Sequence, residues 1–214
     1  MKLIRGWYMP DHETELLHAT TVLKETGYQI NQRRWSLEGL QQHRTALDIG
    51  AHVGLWARDL CELFERVIAF EPHPEHRQCL AMNVKAPNLE IVAAAVGERD
   101  GTCSLQIYPG RSGHTHRKEG TDVTLISIDT YAPEQVDYIK IDVEGFEYEV
   151  LQGARETIMR DHPRIVIEQK QQHHTTDQER YRASDLLISW GYQRLRHHGD
   201  DYCFGFPGSP NGHN

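Results

Sequence analysis

The chain has 214 residues, 38% hydrophobic and 25% charged, enough for one packed core with a small appendage and too little for two fused enzymes. Its 23 Lys and Arg against 31 Asp and Glu leave a formal charge of −8, so there is no general attraction to a phosphate backbone and a nucleic-acid substrate is disfavoured. Apolar runs such as 91–96 fall far short of the roughly 20 residues of a membrane span, and the opening residues lack the roughly 7–15 apolar residues of a secretory leader, so a cytoplasmic protein without a membrane partner is expected.

Residues 1–44 read as a helical appendage or substrate cap. Asp11 to Lys24 fits a helix, with Leu16, Leu17, Thr20 and Leu23 at helical spacing. Trp7 and Tyr8 either stack on a ligand ring or anchor the appendage by ordinary packing. From Thr45 short apolar runs alternate with amphipathic stretches: 46–49, 55–64, 67–70, 73–84 and 89–96. Strands buried on both faces and separated by helices mean a mostly parallel α/β sheet with helices on both sides. Cys103 to Tyr108 alternates like a half-exposed strand, and 109–120 reads as a polar loop carrying a basic patch, Arg111, His114, His116, Arg117 and Lys118. The rhythm resumes with a strand at 136–141, a helix at 147–159, a strand at 164–167, a helix at 184–189 or longer, and a closing hairpin from 192–195 with 201–206. The main domain is therefore 45–206, and the Gly/Pro/Asn-rich 207–214 is expected to fray.

Metal-binding patterns are weak. Cys61, Cys79, Cys103 and Cys203 form no C-x-x-C pair and read as buried thiols. The adjacent pairs His173/His174 and His197/His198 face opposite sides of an extended chain and are poor chelators.

The chemistry concentrates where strands become helices. Leu47-Asp48-Ile49-Gly50-Ala51-His52-Val53-Gly54 places Asp48 at a strand end, with Gly50 and Gly54 removing side chains so that a ligand can lie against the turn. Glu71, in Phe70-Glu71-Pro72, ends the next strand 23 positions later, where doubly wound sheets place an acid that accepts from a ribose diol. A nucleoside cofactor follows. A dinucleotide dehydrogenase expects G-x-G-x-x-G, and Ala51-His52 stands where the second Gly belongs, which favours S-adenosylmethionine (SAM), a cofactor with no pyrophosphate.

These residues, with Ala94-Ala95-Val96-Gly97, Asp100-Gly101, Thr124 to Asp129 and above all Asp137 to Glu147 and Val150 to Ala154, resemble the FkbM family of SAM-dependent methyltransferases. The resemblance runs from about Thr45 to Glu168 and more loosely to Phe206. It implies a Rossmann-like class I methyltransferase fold, a seven-stranded sheet whose last strand is antiparallel, and methyl transfer usually to a hydroxyl of a sugar or natural product. By position it places Asp48, Gly50, His52 and Gly54 along the methionine side of SAM, Glu71 with Pro72 at the ribose, and Ala95 and Val96 beside the adenine. His52 departs from the family's usual Asn, and an imidazole there makes the contact pH-sensitive.

Deprotonating a hydroxyl calls for an acid at the carboxyl ends of the strands. Asp142 ends the strand 136–141, Glu144 follows it, and Lys140 shares the face of Asp142. Glu168 ends the next strand. Asp142 and Glu168, with Gln169, His173 or Glu144 as further ligands, are candidates to hold Mg²⁺ or a similar ion, against a metal-free reading in which Asp142 or Glu144 is the general base. The acceptor expected is a sugar-like or nucleotide-linked small molecule. Two alternatives carry weight: a methylase of modified bases, which lacks here an Asn/Asp-Pro-Pro-aromatic or Pro-Cys string, and a SAM-binding module without catalysis, which would have lost Asp142 and Glu144.

Overall fold

The computed structural model describes residues 1–4, 6–12, 29–108 and 111–212, with the side chains of 106–121 and of Gln172 left aside. In chain order its elements are β1 (Lys2–Ile4), β2 (Trp7–Met9), α1 (Ile30–Leu37), β3 (Thr45–Ile49), α2 (Leu55–Leu63), β4 (Arg66–Phe70), α3 (Pro74–Asn83), β5 (Leu89–Val92), β6 (Ala95–Val96), β7 (Gly101–Tyr108) and β8 (Arg111–Ile126). They continue with α4 (Ile128–Tyr131), β9 (Val136–Ile141), α5 (Glu147–Gln152), α6 (Arg155–Asp161), β10 (Arg164–Glu168), a 3-10 turn (Gln171–His173), α7 (Asp177–Ser189), β11 (Gln193–His198) and β12 (Asp201–Gly205). Among the described residues no helix is long and apolar enough to cross a membrane.

Every position of β3 and β9 is buried, as strands covered by helices on both faces require. The sheet runs in the order β11-β12-β10-β9-β3-β4-β5. Strands β10, β9, β3, β4 and β5 are mutually parallel, while β12 is antiparallel to both of its neighbours. This is the seven-stranded sheet with an antiparallel last strand expected from the sequence. Alternation along each strand splits the core in two. Leu47, Ile139 and Ile167 pack with Val150, Leu151, Ile158 and Leu187 of α5, α6 and α7 on one face. Ala46, Tyr138 and Val166 pack with Trp56 and Leu60 of α2 on the other.

Register decides where the site falls. Ile49 lies opposite both Phe70 and Ile141, and Ile141 lies opposite Ile167, so four parallel strands end at one level. Gly50, Glu71, Asp142 and Glu168 consequently stand along a single edge, the carboxyl edge where open α/β sheets bind ligands.

Four segments differ from the sequence expectations. The helix expected over 147–159 is broken into α5 and α6 at Gly153, whose carbonyl accepts from the amide of Asp129 at 2.8 Å instead of continuing the helix. A Cβ at Gly153 would stand 2.0 Å from the carbonyl oxygen of Gly97, so only glycine lets that segment approach. The polar loop at 109–120 is instead strand from Arg111 onward. It pairs with β7 from Gly101 opposite Leu125 to Leu105 opposite Thr121, then slips so that Gln106 faces His116. Ladder hydrogen bonds come from the backbone, so a polar composition does not forbid a strand. The last helix starts at Asp177, where the Thr176 hydroxyl accepts from the Glu179 amide and the Glu179 carboxylate accepts from the Thr175 amide. That Thr-x-x-Glu pattern is a helix-start signal readable from the sequence.

The fourth difference is the C-terminal segment, expected to fray. Asn211 is buried, donates to Asp137 at 3.1 Å, and through its carbonyl accepts from Arg164 at 2.7 Å. The helix expected at 11–24 falls outside the described residues apart from Asp11 and His12, which lie in a turn. The described part of the appendage begins as a β1–β2 hairpin. Its Trp7 and Met9 pack on Val53, Leu55 and Cys79, the Arg58 guanidinium lies 4.2 Å from the Trp7 ring centre, and the Asn83 side chain bonds both backbone groups of Tyr8. Trp7 is therefore an anchor of the appendage.

Asn211→Ala strips one buried donor from Asp137. It should lower unfolding free energy by about 1–2 kcal/mol in urea melts. A change below about 0.3 kcal/mol would show that the tail adds nothing to stability.

Candidate active site

The β3–α2 turn has a positive φ at three alternate residues: Gly50 at φ +81, His52 at φ +51 and Gly54 at φ +92. The amides of Gly50 and Ala51 both donate to the Phe70 carbonyl, which folds the turn over the end of β4. Gly50 and Gly54, expected to clear room for a ligand, make room first for protein. A Cβ on Gly50 would fall 1.8 Å from the carbonyl oxygen of Asp142, and one on Gly54 would fall 2.5 Å from a Leu80 methyl.

Glu71 is buried beside that turn. One carboxylate oxygen accepts from the His52 amide and the other from the His73 amide, each at 2.8 Å, with His76 Nδ1 3.4 Å away. Burial pushes its pKa up, but the hydrogen bond and charge of His76, helped by His52 and the His73 amide, more than reverse this and bring it to about 2. Glu71 is ionised at any physiological pH. His52 lies 4.3 Å from His76, ring centre to ring centre. Burial, with His76 alongside, lowers its pKa to about 3, so it is neutral and the pH-sensitive contact expected near neutrality does not arise. The Pro72 carbonyl accepts from Arg77 at 2.5 Å. Ala95 and Val96 lie in β6, and Val96 is buried in the core with Phe70 and Ile128.

The charged centre is built across β3, β9 and β10. The Lys140 ammonium lies 3.5 Å from Asp48 and 3.6 Å from Asp142, and donates to the Gly50 carbonyl at 3.0 Å. Burial lowers the pKa of Lys140, and the neighbouring Asp142 and Asp48 raise it back above the usual lysine value. For Asp48, with no exposed surface, burial wins and the pKa rises despite Lys140. For Asp142, burial is outweighed by Lys140 and Lys170, and its carboxyl stays well below the usual range.

Glu144, in the left-handed region at φ +57, accepts from Lys170 at 3.1 Å, and its other carboxylate oxygen lies 2.5 Å from His173 Nε2. The Lys170 ammonium also lies 2.5 Å from Glu168. Burial and the neighbouring Asp142 raise Glu168 to about 10. Asp142, Glu144 and Glu168 offer oxygens all within 4.8 Å of one another.

The structure therefore assembles Lys140, Asp142, Glu144, Glu168 and His173 in one place, beside Asp48. Gln169, a candidate ligand, turns away: its side chain bonds the Arg180 carbonyl and the Ser184 hydroxyl in α7. Lys170 was missed by sequence reasoning, although two positions beyond Glu168 in extended chain is the same side. It also decides the metal question. A divalent ion needs oxygens at roughly 2.0–2.6 Å with the centre to itself, and here an ammonium stands against carboxyl oxygens of two of the three acids. The residues as arranged do not fit Mg²⁺.

The sheet order and the edge carrying Glu71 and Asp142 define a Rossmann-like methyltransferase fold. An O-methyltransferase of Bacillus cereus, solved in complex with S-adenosylhomocysteine (SAH), superposes with a TM-score of 0.56 at 15% identity, over 88% of this chain and 86% of that one. A methyltransferase FkbM of Methylobacillus flagellatus superposes with a TM-score of 0.59 at 24% identity, over 80% of this chain and 48% of that one. Residues 48–199, more than two thirds of the chain, match the methyltransferase FkbM domain, and the protein belongs to that family. Among curated proteins it is similar to the hexuronic acid methyltransferase AglP of Haloferax volcanii, 30% identical over 129 residues. That match covers 56% of this chain and 54% of the relative, so the chain spans about half the length of the relative it matches.

Glu147, at the start of α5, is an acid displaced chiefly by burial. It accepts from the Gly145 amide at 2.9 Å, yet burial raises it to about 7. An unfolded carboxyl ionises near pH 4.5, so folding binds the proton more tightly and stability falls as pH rises from about 4.5 to 7. Glu147→Gln should remove that loss, adding about 1–3 kcal/mol at pH 8 and nothing at pH 4 in paired thermal melts. Equal effects at both pH values would refute the assignment.

Proposed function

We propose that the protein is a SAM-dependent O-methyltransferase that methylates a hydroxyl of a sugar-like small molecule. What supports this is one arrangement: Glu71, clamped by the amides of His52 and His73, and Asp142, clamped by Lys140, on the same edge of the sheet. The Glu71 oxygen that accepts from the His52 amide, on the side away from His76, keeps a lone pair for a ribose hydroxyl. The methyltransferase family match and the SAH-bound relative of the same fold favour SAM as the nucleoside. The name of the Haloferax relative favours an acidic sugar as acceptor.

When bound, SAM supplies an electrophilic methyl on a sulfonium. The protein's task is then to orient the acceptor and receive one proton. Asp142 is the most open of the three clustered acids, with 22% of its side chain exposed against 12% for Glu144 and 10% for Glu168. Its carboxylate would take the proton that the acceptor hydroxyl gives up when the methyl group passes from sulfur to that oxygen, the C–S bond breaking and SAH leaving as the thioether. Lys140 holds that carboxylate in place, and Glu144 stays bound to Lys170 and His173 as support for the acceptor side.

Calorimetric titration with SAM and with SAH should show micromolar binding that Glu71→Ala weakens by about 1–3 kcal/mol, roughly 5- to 150-fold. Absence of binding for either ligand would end this reading. With SAM and a panel of uronic acids and neutral sugars, Asp142→Asn should lower kcat by roughly 10²- to 10⁴-fold while leaving SAM affinity within about threefold, read by mass-spectrometric detection of the methyl ether. An Asp142→Asn enzyme of undiminished kcat would remove Asp142 from the proton transfer.

A further inference from the structure

We infer that Lys170 is the resident cation of the acidic cluster: its tethered ammonium takes the place a divalent ion would need and positions Glu144 and Glu168, so that the protein excludes metal from this site. The role in transfer rests on the methyltransferase reading above, whereas the competition between ammonium and metal does not.

Three features place the ammonium there. The backbone of Gln169 is pinned on both sides, its amide donating to the Asp200 carbonyl at 2.8 Å and its carbonyl accepting from Arg180 at 2.9 Å. With the Gln169 side chain engaged by α7, the next residue projects to the opposite side, onto Glu168 and Glu144. The 3-10 turn then brings His173 onto the second oxygen of Glu144. Gly145 suits that approach, since it sits at φ +101, where side chains rarely go, and a Cβ there would crowd the Cβ of His173 at 3.1 Å.

One oxygen of each of the three acids lies within 4.8 Å of the other two, close enough for an ion with oxygen bonds of roughly 2.0–2.6 Å to bridge. The ammonium sits at 2.5 and 3.1 Å from two of them, so ion and ammonium cannot share the centre. A tethered cation also meets no translational cost on arrival, and free Mg²⁺ competes at a disadvantage. Lys170 is accordingly a positioning residue.

The test is Mn²⁺ binding, followed by electron paramagnetic resonance on the full chain. Wild type and Lys170→Arg should bind no Mn²⁺ at this site. Lys170→Ala should gain affinity by roughly tenfold or more, and the gain should vanish when Asp142→Asn is added. Wild-type binding that is lost in Asp142→Asn, or a folded Lys170→Ala that gains nothing, would overturn the inference. If Lys170→Ala does not fold, Lys170→Gln, which keeps a donor for Glu144 without the charge, carries the same comparison with the same two outcomes. SAM titration of the wild type separates the two ideas: failure to bind SAM removes the methyltransferase reading and leaves the Mn²⁺ result standing.

Discussion

One buried ammonium holds the site together. Lys140 reaches from the middle sheet strand to two carboxylates and to the Gly50 carbonyl, and thereby ties the end of β9 to the turn that leaves β3. An unpaired charge at that depth would cost several kcal/mol, and so would either carboxylate left alone. The three groups are therefore obliged to keep one geometry. The same turn presents the His52 amide to Glu71, so the orientation of the acid on β4 depends on an ion pair centred on β9. Rigidity of this kind suits a reaction that asks the protein for alignment more than for covalent participation.

Around that centre the charges are arranged in pairs with unequal partners. Asp142 is kept ionised by two lysines, while Glu168 beside it keeps its proton because burial and its neighbour both oppose a second negative charge. Glu144 is held from two directions, by Lys170 and by His173. The acidic character of the chain as a whole is thus no guide to the site, which carries its own cations.

Much of this was legible in the sequence because it depends on local pattern. Continuous apolar runs marked β3, β4, β9 and β10, and the acids that follow or close β4, β9 and β10 stand at the carboxyl edge, which puts Glu71, Asp142 and Glu168 in one region, with Asp48 buried one residue before the end of β3. What stayed hidden depended on contacts between distant segments. The break at Gly153 exists because Gly97 lies against it, the strand from Arg111 exists because β7 offers a ladder, and Asn211 is ordered because Asp137 and Arg164 need partners. Gln169 and Lys170 show the same limit at one-residue resolution: both are polar, both follow β10, and only the packing of α7 decides which of them turns into the site.

Arg164 has a consequence for how the chain reaches this state. It is fully buried at the start of β10, where its guanidinium donates to carbonyls of Ser36 and Glu38 and to that of Asn211, partners 128, 126 and 47 positions away in sequence. Until both remote segments are present, the middle of the sheet contains a charged group with nowhere to donate. On the ribosome residue 211 emerges long after β10, so an incomplete chain can collapse but cannot seal this end of the sheet. Closure of loops this long also slows the final step, because their entropy is spent before the contacts repay it. The protein's late folding is in this sense gated from the face opposite its chemistry.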